Sequence, residues 1–175
     1  NTWCWGYEKY NYKPLLTGVG NSFIEVDHRV VGRFKLYAEE ADEFLFCDNE
    51  TNFQRLHNSD NLSHFTKDGI NEYVVNKNKH AVNPNNIGTK ASVKYTDKIP
   101  AGGKKVYRLR LSNVTQRDPF ADFDQIFEDR IIDANQFYAE LQKGIEDENL
   151  LTLQRQAYAG MLWTKQWYYY NVFEW

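Results

Sequence analysis

The sequence predicts a mixed fold in which β precedes α: an antiparallel β-sandwich, partial in this chain, followed by long helices. Three observations carry this. Residues 23–38 largely alternate apolar and polar side chains in two runs split near Gly32, the period-two pattern of a half-buried antiparallel sheet. After Val114 the period changes, and Phe120, Phe123, Phe127, Ile131, Ala134, Tyr138 and Leu141 keep to one helical face. From Glu148 onward, Leu150, Leu153, Ala157, Met161 and Tyr168 make one stripe, and Leu151, Tyr158 and Leu162 a second. Two stripes predict a helix buried on most sides. Those faces need partner helices, and almost none follow before Trp175, so the chain reads as an internal fragment of a longer protein.

In chain order, Asn1 to Gly6 (NTWCWG) reads as a strand end. Residues 7–22 hold Pro14, Gly18 and Gly20 and read as a surface connection. Residues 23–38 make two strands divided near Gly32, with Ile24, Val26, His28 and Val30 on one face. Glu39, Glu40, Asp42 and Glu43 form an acidic turn, read as a solvated loop in preference to a cation site, and Glu43 to Cys47 (EFLFC) is the next strand. Residues 47–90 are polar and rich in Asn; they read as a long loop holding a short helix over 67–75. Residues 91–96 and 105–112 read as the two strands of a hairpin turning at Pro100-Ala101-Gly102-Gly103. Asp118-Pro119 starts a helix, the acid as N-cap and the proline at the first helical position, and Gly144 is its natural end. Glu146, Asp147 and Glu148 then place negative charge at the N-terminus of the last helix.

Composition narrows the function classes. The chain has 175 residues, 42% of them apolar, enough for one domain or a domain and part of another. A net charge of −3 and the lack of a basic run interleaved with aromatics speak against nucleic acid as a partner. No apolar run reaches the roughly 18 residues of a membrane span, so no membrane partner is expected. Two cysteines, Cys4 and Cys47, make no disulfide framework. Few cysteines and no export signal, in a chain that starts at Asn1, point to the cytoplasm. In so Asn-rich a chain about one or two glycosylation sequons are expected by chance, so the matches at Asn49, Asn61 and Asn113 carry little weight.

No residue pattern announces a reaction. His28, His57, His64 and His80 have no metal-ligand spacing, and no cofactor is implied. Cys47 has no histidine in sight to activate it. Carboxylates are plentiful, but only Glu174 sits in aromatic surroundings. The aromatic tail has two physical readings. Trp163, Lys165, Gln166, Tyr169, Tyr170 and Trp175 mix ring faces with polar heads, as sugar stacking requires. The same rings would serve as core between helices.

The segments NTWCWG, LFCDNETNFQRL, KDGINEYVV, AVNPNNIGTKA, PAGGKKVYRLRLS and LQRQAYAGMLWTKQWYYYNV together resemble a bacterial, glucosidase-like branch of glycoside hydrolase family 63 over nearly the whole chain. The last segment is the most specific. The resemblance implies an N-terminal β-sandwich domain over 1–115, a helical linker over 116–145, and over 146–175 the start of a truncated (α/α)6 catalytic barrel. It implies an inverting hydrolase of glucosyl or mannosyl compounds, with an Asp general acid and a Glu general base about 6.5–9.5 Å apart. Both acids would lie beyond Trp175, so no catalytic residue is assigned and this chain alone is expected to be inactive. Tyr169, Tyr170 and Trp175, backed by Lys165 and Gln166, are the expected sugar contacts. Residues 83–90 are expected to lean onto the barrel and shape its entrance. The implied partners are a carbohydrate substrate and the remainder of the catalytic domain. Two other readings are a non-catalytic carbohydrate-binding β-sandwich module with a helical tail, and an interaction module whose aromatic tail docks helices.

Overall fold

The computed structural model describes residues 13–164, which fall into two units divided between Ala121 and Asp122. The first is a mixed α/β unit. Strands β1 (Leu15–Val19), β2 (Phe23–His28) and β3 (Gly32–Ala38) run as an antiparallel meander. β4 (Glu43–Cys47) leaves this sheet and is followed by α1 (Phe53–His57), α2 (Gly69–Asn76) and a 3-10 turn at Lys79–Ala81. β5 (Ile87–Gly88) returns to pair with β1, β6 (Lys90–Lys94) pairs with β4, and β7 (Leu109–Ser112) pairs with β3. The result is a five-stranded sheet in the order β5-β1-β2-β3-β7 and a two-stranded one, β4-β6.

Each turn of the meander has a local cause. Gly20 takes φ +53° between β1 and β2, where the Ser22 amide donates to the Val19 carbonyl. Between β2 and β3 the amides of Val30 and Val31 donate to His28 Nδ1 at 3.2 and 3.1 Å. His28 is therefore a structural side chain, as its place on a strand implied.

The core gathers around β4. Ile24, Leu45, Phe46 and Cys47 are almost wholly buried. Leu45 and Phe46 point to opposite faces of a strand, so β4 is enclosed on both sides. Gly18 permits one of these contacts: a Cβ there would stand 3.1 Å from the Phe46 ring. Gly88 permits another, since a Cβ there would meet the Cys47 carbonyl oxygen at 2.3 Å.

The second unit holds α3 (Phe123–Leu141) and α4 (Glu148–Trp163). Asp147 caps α4 by accepting from the amides of Asn149 and Leu150; the sequence places negative charge here, and the structure makes it a cap. The two helices lie antiparallel. Arg155 donates to Asn135 and lies over the Tyr138 ring, Tyr158 meets Tyr138, and Gln142 donates to the Leu151 carbonyl.

Several expectations are corrected. Among the described residues there is no β-sandwich followed by helices that begin an (α/α)6 barrel; a five-stranded antiparallel sheet and a two-stranded one are followed by the helix pair α3 and α4, and no barrel start is evident. The stretch 47–90, read as a long loop with a short helix over 67–75, holds that helix as α2 and adds α1, the 3-10 turn and β5, and α3 and α4 pair with each other. The surface connection at 7–22 contains β1, because Leu15, Leu16 and Val19 outweigh the turn residues beside them. The hairpin over 91–112 does not form. Its two strands take partners in different sheets, β4 and β3. α3 begins at Phe123, not at Pro119, and ends before Gly144, which has φ +85°. α4 is not buried within this unit: Leu153 is 62% exposed, Met161 68% and Trp163 90%.

Alanine at Gly88 should lower the urea midpoint by the equivalent of about 2 kcal/mol or more, because backbone must move to admit the methyl group. Alanine at Gly160, within α4 and with nothing near it, should raise helix stability by up to about 1 kcal/mol. Circular dichroism at the helix band checks both. Equal effects at the two sites would contradict the contact at Cys47.

Candidate functional site

Two chain arms cross together from one sheet to the other. One arm is β3, the acidic turn and β4; the other is β6, the intervening loop and β7. The Glu39 amide donates to the Arg108 carbonyl and the Asp42 amide to the Lys94 carbonyl, both at 3.0 Å. These bonds prolong the β3–β7 and β4–β6 ladders up to the crossing. Between them the arms separate around a cavity of ≈ 230 Å³ lined by Glu39, Glu40, Asp42, Tyr95, Asp97, Lys105, Val106 and Tyr107.

One wall of this cavity is aromatic. The Tyr95 and Tyr107 rings lie 4.4 Å apart between centroids, tilted by 40°. Tyr107 donates its hydroxyl proton to Asp97 Oδ2 at 2.9 Å, and Lys105 Nζ stands 3.6 Å from Asp97 Oδ1. The bond to Asp97, then burial, raises the Tyr107 hydroxyl above its ordinary value. Burial, followed by the charge of Glu39, does the same for Tyr95. Both hydroxyls therefore keep their protons. The Tyr95 hydroxyl is buried and has no hydrogen-bond partner among the described residues. Much of the remaining lining is acidic. Arg108 stands 3.7 Å from Glu39, whereas Glu40 and Asp42 are exposed. Among the described residues, no group of three His, Cys, Asp or Glu side chains is placed to hold a metal ion.

The acidic turn was read as solvated loop, and the structure adds Tyr95, Asp97, Lys105 and Tyr107 to it. Sequence reasoning missed these four. A signal was present: Tyr95 and Tyr107, and Asp97 and Lys105, flank Pro100-Ala101-Gly102-Gly103 in a near-mirror arrangement. The expected sugar contacts Lys165, Gln166, Tyr169, Tyr170 and Trp175 lie outside the described residues, as do Glu174, Cys4 and the strand end at 1–6.

The Asn-rich stretch is a hydrogen-bonded scaffold. Asp48 accepts from Ser63 Oγ at 2.5 Å and from the Thr89 amide at 3.2 Å, while its own amide donates to the Phe65 carbonyl. Asn52 caps α1 through the Arg55 amide and also donates to Asp68. Asp68 further accepts from Thr66 Oγ1 at 2.6 Å and from Arg55 at 3.3 Å. Glu43 accepts from Tyr73 at 2.5 Å and pairs with Lys94. Residues 83–90 lie against β1 and β4: the Asn83 amide donates to the Phe46 carbonyl, and the Gly18 amide to that of Asn86. Cys47 is fully buried, and burial pushes its thiol up to about 11. It is no thiolate nucleophile at neutral pH.

Two carboxyls in this scaffold are tuned. Burial works against the charge of Asp68, but the hydrogen bonds from Thr66, Asn52 and Arg55 together outweigh it and hold the group below the ordinary value of 3.8. Burial likewise opposes the charge of Glu43, and Lys94 and Tyr73 prevail, holding it below 4.5.

Compared with known proteins, the chain is 32% identical along its whole length to the uncharacterized protein YMR196W of Saccharomyces cerevisiae. The chain spans 19% of that protein's length. No family model matches the chain, and no solved structure does.

The tuned carboxyls set an acid response. A carboxyl whose folded value is lowered adds stability above its unfolded value and loses it as pH falls through the folded one. The urea midpoint should therefore hold from neutral pH to about 5 and fall below about 4. Asp68→Asn should lower the midpoint at pH 7 by about 1 kcal/mol and flatten the acid fall. A midpoint that rises as pH drops below 4 would refute the assignment.

Proposed function

We propose that this chain is a supporting part of an inverting glycoside hydrolase acting on α-glucosides, α-mannosides or other small glycosylated compounds. Its Asp general acid and Glu general base would lie outside residues 1–175. The observation that carries this reading is the set of family 63-like segments spread along the chain. The scaffold's chemistry supports it. A general acid needs a raised carboxyl, whereas Glu43 and Asp68 are lowered and committed to neighbours. The long polar segments LFCDNETNFQRL and KDGINEYVV are spent on capping, loop closure and ion pairing, which suits a supporting role.

In this reading the partners are a carbohydrate and the remainder of the same polypeptide. The exposed apolar side chains of α3 and α4, among them Phe127, Ile131, Leu153, Met161 and Leu162, would pack on further helices of that polypeptide. A span of 19% of the yeast relative leaves ample chain for this. Tyr169, Tyr170 and Trp175, with Lys165 and Gln166 behind them, are proposed as the sugar contacts. A second reading, a non-catalytic carbohydrate-binding module, is favoured by the tyrosine-walled cavity.

The test is hydrolysis of aryl α-glucosides and α-mannosides by the longer protein, with the anomeric product followed by NMR. Inversion is expected from the longer protein, and no turnover from residues 1–175 alone. Trp175→Ala in the longer protein should lower kcat/KM by about tenfold. A longer protein inert on every glycoside offered would overturn the hydrolase reading; unchanged kinetics in Trp175→Ala would make that residue packing only.

A further inference from the structure

We propose that the cavity between the crossing arms is a non-catalytic binding site for a single uncharged sugar ring, seated against Tyr107 with its hydroxyls held by Glu40, Asp42 and Lys105. The proposal rests on the carbohydrate reading above and locates a sugar site in the described part of the chain.

Size is the first argument. At ≈ 230 Å³ the cavity is smaller than the roughly 300–1,000 Å³ of sites for drug-sized ligands. It suits one ring with its substituents. The second argument is the mix of walls. A sugar ring has apolar C–H faces and a girdle of hydroxyls that both donate and accept. Tyr107 is 40% exposed and supplies part of the cavity's smaller apolar share; most of the lining surface is polar. Glu40 and Asp42 can only accept hydrogen bonds, and Lys105 can only donate. Hydrogen bonds to such charged groups are about twice as strong as neutral ones. The Tyr95 hydroxyl adds a buried group with no hydrogen-bond partner among the described residues, next to this constellation. A buried hydroxyl left unpaired carries a desolvation cost, which a ligand hydroxyl or an ordered water would relieve.

The charge pattern discriminates between ligand classes. Four carboxylates line the cavity against one lysine, so phosphorylated and acidic sugars are repelled. An organic cation would need aromatic faces opposed across it, as in an ammonium cage. Here the two rings touch each other at 4.4 Å and form one wall, and Lys105 shares the lining. With no metal cluster among the described residues, an uncharged polyol is the class that fits.

The two arms also explain why the cavity persists. Backbone bonds at Glu39 and Asp42 hold its rim on one side, while Asp97 braces Tyr107 and Lys105 on the other. Binding therefore requires little ordering of the rim.

The experiment is a titration of the full 175-residue chain, ¹⁵N-labelled, with methyl α-glucoside, methyl α-mannoside, glucose 6-phosphate and choline. Saturable shifts confined to residues around 39–42 and 95–107 are expected with the neutral glycosides, with a Kd on the order of 1 mM. Glucose 6-phosphate and choline should bind at least about tenfold more weakly. Glu40→Gln combined with Asp42→Asn, both at exposed positions, should weaken the glycoside about tenfold while leaving the rest of the spectrum in place. Tyr107→Ala should abolish the local shifts. No saturable shift with either glycoside overturns the site, and so does tighter binding of choline, or equal affinity in the double variant. Hydrolysis by the longer protein is a separate readout, so loss of the sugar site and loss of the hydrolase reading are told apart.

Discussion

The enclosure of β4 on both faces is the constraint on which the rest of the first unit depends. A strand buried on both sides has no water to satisfy its polar groups, so each must find a protein partner. β6 satisfies one edge through the ladder from Glu43 to Cys47. The Asn83 amide takes up the Phe46 carbonyl. The Gly88 backbone approaches the Cys47 carbonyl so closely that no side chain fits there. Immediately after the strand, Asp48 collects Ser63 and Thr89, and so gathers the distant parts of the 47–90 stretch around the strand's end. What composition presents as an Asn-rich loop is the set of hydrogen bonds that burial of Phe46 and Cys47 demands.

The same strand produces the cavity. β3 and β4 are one arm, and that arm must leave the five-stranded sheet for β4 to enter the core. Its companion arm, β6 to β7, follows it across. Two antiparallel arms that change sheet cannot keep their hydrogen bonds through the bend, so the paired strands end at Ala38–Leu109 and Glu43–Lys94, with one further backbone bond on each side, Glu39 to Arg108 and Asp42 to Lys94. The gap collects the residues of two loops that the chain separates widely. Its acidic and aromatic character is thus a consequence of where the sheets part, and it places Tyr107 and Asp97 beside an acidic turn that alone would be an ordinary solvated loop.

The second unit obeys a different balance. α3 and α4 bury Tyr138 between them, with Arg155 over its ring and Tyr158 beside it. One such contact covers only part of two amphipathic surfaces. Phe127, Ile131, Leu153 and Met161 remain exposed, in keeping with two stripes that a single neighbour cannot cover. Periodicity revealed which residues are apolar on each helix. It carried no information about how many partners would cover them.

What the sequence determined by itself is local. Strands at Phe23–His28, Gly32–Ala38 and Glu43–Cys47 were legible because alternation and flanking turn residues act over a few positions. The caps were legible only in part: the negative charge of residues 146–148 falls at the start of α4, where Asp147 bonds amides two and three residues away, but Asp118 caps no helix, since α3 begins at Phe123. Tertiary structure decided the pairings. Residues 91–112 look like a hairpin because Pro100 to Gly103 is a good turn, yet Lys94 pairs with Glu43 and Ser112 with Lys35. Those partners are chosen by which side chains must be buried together, and that choice depends on the whole core. The cavity was illegible for this reason, since Tyr107 meets the acidic turn only after β3 and β4 have taken their separate sheets.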